Sequence, residues 1–469
     1  MIKQTSRQKP FALVTQITSY LLMVLPGALA FLYVRLFGVN VPYWDQWWIV
    51  TLFEKLNAGS LHMSDLWSQA NEHRIFFPRV AMLLLGSVTG YNNVAEMYFI
   101  LGLFLVTLIV LLLAFKGSVN TTLLMFVPVS FLMFSPRQFE NMLWGFQIGF
   151  AIVRASAVLT FYFLWLLGSK RLHTIAFLAA LVSATVASFS SAQGLLVWPA
   201  GLIQLFISPL ERPPKKLLVG IWILIGVGEW ILYFIGYTQP DQFSLAFAFK
   251  HPIAAADYSL TLLGSSLFWY HSLAAAGGLL LSCLVVATLL LVYRDAKLGE
   301  NSFWIALLSF SLLIAASIII GRSEAGVTWA PISRYTSFTL LMVISLYAML
   351  VKLALERRSH LPTLLVGVLS GCLILSVPIS YVEGVQAGEA VKAYREQAAF
   401  VLYTYESQSD RSLVRYLCPS PGCGPLVRER APILQKLDYN VFSGPPVRGP
   451  ARTPPNPPAS SPAWRGLPP

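Results

Sequence analysis

The sequence is poor in charge. Only 12% of its 469 residues are Asp, Glu, Lys or Arg, about half the share of an ordinary soluble protein. Cysteine is also scarce. Of the four, Cys283 and Cys372 sit inside apolar runs, and Cys418 and Cys423 lie near the C-terminus, so no zinc-type pair of pairs exists. There is no glycine-rich nucleotide-binding motif and no soluble repeat. The polarity does not alternate along the apolar stretches, which excludes a transmembrane barrel. What the chain does have is apolar length. It is 56% hydrophobic, and runs of about 20 residues recur, each long enough to cross the hydrocarbon core. The expected fold is an all-α polytopic membrane protein with the lipid bilayer as its main partner. The net charge of +12 does not point to nucleic acid, because the basic residues punctuate the apolar runs and do not gather on one soluble face.

Hydropathy predicts about eleven spans. They lie near 11–36, 94–115, 120–135, 146–168, 173–189, 193–209, 217–237, 272–293, 302–320, 335–354 and 361–381. Between the first two, 37–75 reads as a polar, aromatic loop, and 76–90 as a helix along the interface. The stretch 255–270 is apolar but short. Lys3, Arg7 and Lys9 precede the first run, and Ala28-Leu29-Ala30 resembles a signal cleavage site. The run continues through Phe31 to Val34, too long for a signal core, so an uncleaved signal anchor is expected. With a cytoplasmic N-terminus, the inner loops carry Lys116, Lys170-Arg171, Arg212 with Lys215-Lys216, Arg294 with Lys297, and Lys352 with Arg357-Arg358. This obeys the positive-inside rule. The outer loops mix signs instead: Asp45, Glu72 with Arg74, Arg137 with Glu140, and Arg322 with Glu324.

Three regions follow. Residues 1–381 form the multi-span domain, 382–442 a small outer helical segment, and 443–469 a Pro-rich tail expected to be disordered. Cys418 and Cys423 flank Pro-Ser-Pro-Gly. A small disulfide loop and two free thiols are both compatible with that spacing.

Four polar constellations stand out on the outer side. The first is Tyr43-Trp44-Asp45-Gln46-Trp47-Trp48. Indole rings around a boundary carboxylate would withdraw it from water and raise its pKa toward that of a general base. Trp44 and Trp47 also offer faces for sugar rings, although an interfacial aromatic belt has the same composition. The second is Asn71-Glu72-His73-Arg74, read as the start of a helix that carries Arg79. Its donors, acceptors and cation suit a phosphate or polar headgroup, while a plain helix cap explains Asn71. The third runs from Ser135 to Gln147 and includes Gln138, Glu140, Asn141 and Trp144. Continued as a helix, it puts Glu140, Trp144, Gln147 and Arg154 on one face. Arg154 lies within a span, where an arginine marks a site or a partner; the candidates are Glu140, Glu229 or a ligand phosphate. The fourth is Gly321 to Gly326 with Arg334-Tyr335, where two glycines allow a bend and Arg322 and Arg334 suit a phosphate clamp. Gln193 and His271 read first as packing residues.

The long first outer loop with its aromatic-flanked Asp45 resembles that of the GT-C superfamily of integral membrane glycosyltransferases. The Asn71–Arg74 knot, the Gln138–Gln147 stretch and Ser333-Arg334-Tyr335 look like a group of bacterial members, and the likeness in layout covers most of 11–381. The resemblance implies a sugar donor linked to polyprenyl phosphate, a lipid, glycan or protein acceptor, and inverting hexosyl or pentosyl transfer. It places the reaction on the outer face of the bacterial inner membrane. The family's acidic residue of the first outer loop maps onto Asp45, and its second acidic site is matched to Glu140 without a secure alignment. The chemistry of the residues themselves offers Asp45 or Glu72 as the catalytic base for the incoming hydroxyl, and Arg74, Arg154, Arg322 and Arg334 as cations for the donor phosphate. Acceptor or sugar binding maps onto Trp44, Trp47, His73, Gln138, Glu140, Asn141, Gln147 and Tyr335. Some members use a metal and others do not, so a divalent ion stays open as a cofactor. A flippase of lipid-linked saccharide is a competing expectation, but charge gathered on one face, without repeated halves, fits it poorly. A glycan polymerase or ligase would share the same residues.

Overall fold

The computed structural model describes residues 8–119, 121–168, 173–210, 214–239, 245–357, 360–420, 422–447 and 449, with side chains from residue 14 onward. Lys170-Arg171, Arg212, Arg358 and most of the Pro-rich tail therefore lie outside the described residues. The chain is an all-α polytopic membrane protein. Among the described residues eight helices are long and apolar enough to cross a bilayer: Val14–Phe37, Asn93–Ser118, Gly145–Leu166, Lys215–Phe234, His271–Arg294, Ser302–Ala325, Ser333–Glu356 and His360–Tyr403. The remaining three expected spans are shorter. His173–Ser188 and Ala192–Ile207 are apolar helices of sub-span length. The stretch 120–135 folds as a 3-10 turn, Leu123–Phe126, and the seven-residue helix Val127–Met133. Pro136 follows, and it lacks the N–H that a continuing helix would need.

The Ser333–Glu356 helix is the axis of the fold, with nearly every residue buried. An all-round apolar helix can only be accommodated inside a bundle. Lys215–Phe234 is the opposite case, with Leu224, Val227 and Ile231 exposed along an apolar outer face, as expected of a helix bathed in lipid. Pro252–Gly264 forms a tight hairpin with His271–Arg294. A Cβ at Gly264 would collide with the Ala274 carbonyl, and one at Gly278 with that of Leu260, so small residues let the two backbones touch.

The loops gather at two ends. At one end Trp304 donates to Ser118 at 2.9 Å, Lys352 meets Glu300 at 3.1 Å and Lys297 meets Glu356 at 2.6 Å. Arg357 pairs with Asp295 there. The mixed-charge motifs occupy the other end. Helix His360–Tyr403 runs unbroken across 381–382, so the C-terminal segment leaves the bundle inside a helix, without a linker. It continues as Asp410–Leu417 and Cys423–Lys436, joined by a Cys418–Cys423 disulfide.

This segment holds the first loop from outside. The Trp47 indole donates to the Leu417 carbonyl at 3.2 Å, and Arg430 donates to the Trp47 carbonyl at 2.7 Å. Asn440 donates to Asn40, Asn93 and the Tyr91 carbonyl, each at 2.9 Å. Replacing Asn440 with Ala takes this donor from the buried Tyr91 carbonyl and Asn93 amide oxygen, at a cost of about 1–3 kcal/mol. The expected result is a thermal midpoint in detergent several degrees below that of the wild type, read by intrinsic tryptophan fluorescence.

Candidate functional site

The first loop does not enter its helix directly. Trp44 adopts a left-handed backbone, φ +52°, and the 3-10 turn Trp44–Gln46 follows before the helix Trp47–Asn57 begins. The turn is pinned from below. Gln46 donates to Glu96 at 2.8 Å, and the Trp144 indole donates to the Tyr43 carbonyl at 3.3 Å. Trp44 stacks on Trp144 at 6.1 Å between ring centres. Asp45 is left half-buried on the inner side of the turn, with Asn71 donating to it at a long 3.4 Å. Burial pushes the Asp45 carboxyl up to about 6; the Asn71 bond and the Arg334 charge work against the rise, and Glu72 adds to it.

The Asn71–Arg74 knot is a hairpin, which corrects the expected helix start. Strands Gln69–Ala70 and His73–Arg74 pair antiparallel, with Asn71 at φ +50° in the turn. The helix begins at Phe76 and ends at Thr89. Within the strand His73–Arg74, alternation puts the two side chains on opposite faces. Arg74 turns away from the site and is consumed by carbonyls: Tyr233 at 2.6 Å, Trp67 at 3.0 Å and Ile235 at 2.5 Å. Glu72 and His73 turn toward it. Glu72 pairs with Arg322. Burial alone would raise its carboxyl, but the charges of His73 and Arg322 outweigh burial and hold it below the ordinary carboxylate range. Burial also lowers His73, against the pull of Glu72.

Glu72, His73 and Arg322 line a cavity of about 680 Å³ together with Gln193, Tyr237, Gln239, Ser317 and Tyr335. Leu195, Leu196, Trp230, Phe234, Leu245 and Ile318 supply its apolar wall. Trp230, Phe234 and Leu245 are themselves exposed on the outer surface, so the wall continues onto the lipid-facing side.

Beside the cavity, the segment after Pro136 docks on the axial helix. It is not the continuous helix expected from its spacing. Phe139–Leu143 is helical, Trp144 is extended, Gly145–Gln147 is a 3-10 turn, and a new helix starts at Ile148. The break turns Glu140 onto the N-terminus of Ser333–Glu356. Its carboxylate accepts the Arg334 backbone N–H at 3.0 Å and the Arg334 guanidinium at 3.1 Å. An anion is favoured at that helix end. Asn141 donates to the Arg334 carbonyl at 3.0 Å and to Ser337 at 2.6 Å.

Four expected site residues belong to the packing instead. Arg154 donates to Gln138 at 2.8 Å and faces the Phe104 ring at 3.6 Å, with two guanidinium nitrogens lacking any hydrogen-bond partner among the described residues. It meets neither Glu140 nor Glu229, because Glu229 is taken by Thr185 at 2.5 Å and Trp198 at 3.1 Å. Gln138 is fully buried between Arg154 and Ser337. Trp47 is fully buried under the C-terminal segment. Gln147 is buried and does not line the cavity. Conversely, Asn71, Gln193, Tyr237 and Arg395 enter the site neighbourhood. Only Asn71 and Gln193 carried a signal, from the polar knot and from a span end.

No group of three or more His, Cys, Asp or Glu side chains gathers among the described residues. Glu72 is committed to Arg322 and Asp45 to Asn71. A divalent ion needs several converging donors, and this donor set does not fit one.

Fold and site together define a polytopic helical membrane protein with a polar cleft at one end of its bundle. No family model matches the chain. An uncharacterised protein of Archaeoglobus fulgidus is 23% identical over 213 residues, which is 42% of this chain and 52% of that one. The chain thus spans about half the length of this curated relative. The crystal structure of ArnT from Cupriavidus metallidurans bound to undecaprenyl phosphate aligns over 90% of this chain and 76% of that one, at a TM-score of 0.42 and 13% identity. A likeness so distant assigns no residue and no activity.

The Glu72–Arg322 pair is the link between the hairpin and the cavity wall. In a double-mutant cycle of Glu72→Gln and Arg322→Met, thermal stability is expected to show a coupling on the order of 1 kcal/mol. Additive single effects would mean that the pair does not form.

Proposed function

We propose that the protein is a membrane glycosyltransferase of the GT-C type that moves a sugar from a polyprenyl-phosphate-linked donor to a hydroxyl-bearing lipid, glycan or protein acceptor. The observation that carries this reading is a half-buried Asp45, raised to about 6 and within reach of the Arg334 charge, close to Glu72 and Arg322 of an apolar-walled cavity. Asp45 takes the proton of the acceptor hydroxyl as its oxygen attacks the anomeric carbon. The bond from that carbon to the phosphate oxygen breaks, and the phosphate leaves with the electron pair. Arg322 and Arg334 stabilise the charge on the leaving group. Glu72, its carboxyl held below the ordinary range and paired with Arg322, is the weaker base and serves to orient Arg322. The prenyl chain follows the wall formed by Trp230, Phe234 and Leu245 toward the lipid. Trp44 offers a sugar-stacking face, and His73 and Tyr335 offer polar contacts.

The site is assigned to the outer face of the membrane. Lys116, Arg294, Lys297, Lys352 and Arg357 lie in or next to the helix ends opposite the site, where the positive-inside rule puts the cytoplasm. Residues 382–442 would then form an outer cover for the first loop.

The test supplies detergent-purified protein with a labelled polyprenyl-phosphate sugar and candidate acceptors. Asp45→Asn is expected to lower kcat by at least about 100-fold, the lower range for loss of a general base. Full transfer by both Asp45→Asn and Arg334→Ala would falsify the assignment. Vectorial lipid movement without bond cleavage would replace it with a flippase. The base must be ionised to act, so kcat/KM rises with pH through about 6 and is lost below it. Asn71→Ala removes a bond that lowers the Asp45 pKa, so the acid limb of the pH–rate profile moves upward.

A further inference from the structure

The C-terminal part of helix His360–Tyr403 brings a third cation beside the Asp45 turn. Arg395 is 7% exposed, and its guanidinium carbon lies 3.4 Å from the centre of the Tyr43 ring, two residues before Asp45. Among the described residues it forms no ion pair and no hydrogen bond. Glu140 is the carboxylate whose charge reaches it, and both Glu140 oxygens are already engaged by Arg334. Two guanidinium groups thus share one carboxylate. An arginine keeps its charge in a protein, and an aromatic face replaces only part of the water it has lost. The placement is firm. Neighbouring Tyr394 meets Tyr43 edge-on at 6.1 Å and donates to the Arg415 carbonyl, tying the helix to the disulfide-linked segment.

We infer that Arg395 is an anion-binding residue beside the Asp45 turn, contributed by the C-terminal segment, and that it takes an oxyanion of a phosphate ester. This rests on the proposed phosphate-bearing substrate. The ester belongs either to the polyprenyl donor or to a phosphorylated acceptor. The alternative role is a stacking strut that only holds Tyr43 and the Asp45 turn.

The two roles separate in a binding experiment on the full-length protein in detergent. Farnesyl phosphate, farnesol and inorganic phosphate are the probes, and Arg395→Gln and Arg395→Lys the variants. Anion binding predicts that Arg395→Gln weakens farnesyl phosphate by about tenfold or more. Arg395→Lys should retain most of the affinity, and farnesol binding should be unchanged in both. If inorganic phosphate displaces farnesyl phosphate, the site takes phosphate monoesters from either source; if it does not, the lipid-linked donor is the source. The inference is overturned if Arg395→Gln binds farnesyl phosphate within twofold of wild type, or if farnesol affinity falls in parallel, as a strut would require. A wild-type protein that shows this Arg395-dependent binding yet transfers no sugar would sink the proposed reaction and leave the anion site standing.

Discussion

The contact on which the site depends is Glu140 on the N-terminus of the axial helix. One carboxylate closes three needs at once: an open backbone N–H, the charge of Arg334, and the anchoring of a chain that has just broken at Pro136. Removing it would leave a guanidinium and a helix end facing each other in a region of low water content. Burying charge is tolerable when it is paired and hydrogen-bonded. Here the pairing also fixes where Arg334 lies relative to Asp45.

From that dock the remaining chemistry is arranged by opposed pressures on neighbouring carboxylates. Asp45 has a weak hydrogen bond and a distant cation, so withdrawal from water dominates and its proton is held to about pH 6. Glu72 is tied to Arg322 and stays ionised. The two carboxylates are thereby pushed in opposite directions. The aromatic residues around Asp45 act as structural members: Trp144 braces the Tyr43 carbonyl and stacks on Trp44, while Trp47 is buried under the C-terminal segment.

Much of the fold was legible in the chain. Hydropathy is a local property, and the eight long helices follow the apolar runs closely. The interfacial helix after Ile75 and the bend at Gly326, φ +89°, were legible for the same reason. Short segments were less so. The Asn71–Arg74 knot has the composition of a helix cap, but pairing with Gln69–Ala70 makes it a hairpin. The 139–147 stretch has helical spacing, yet docking on the axial helix forces an extended Trp144.

By itself the sequence determined that the chain is a helical membrane protein and that its mixed-charge residues share one side, and it offered Asp45 as a carboxylate that the indoles beside it would withdraw from water, against an aromatic belt of the same composition. All of these follow from the solvent preference of nearby residues. Only the tertiary structure decided which cation answers which carboxylate. Arg74 is spent on carbonyls and Arg154 on Gln138 and Phe104, whereas Arg322 and Arg334 face Glu72 and Glu140. Arg395 reaches Tyr43 from the far end of the chain. Arginines of identical local appearance take opposite roles, because the partner of a buried charge is set by packing between distant segments, which no local pattern encodes.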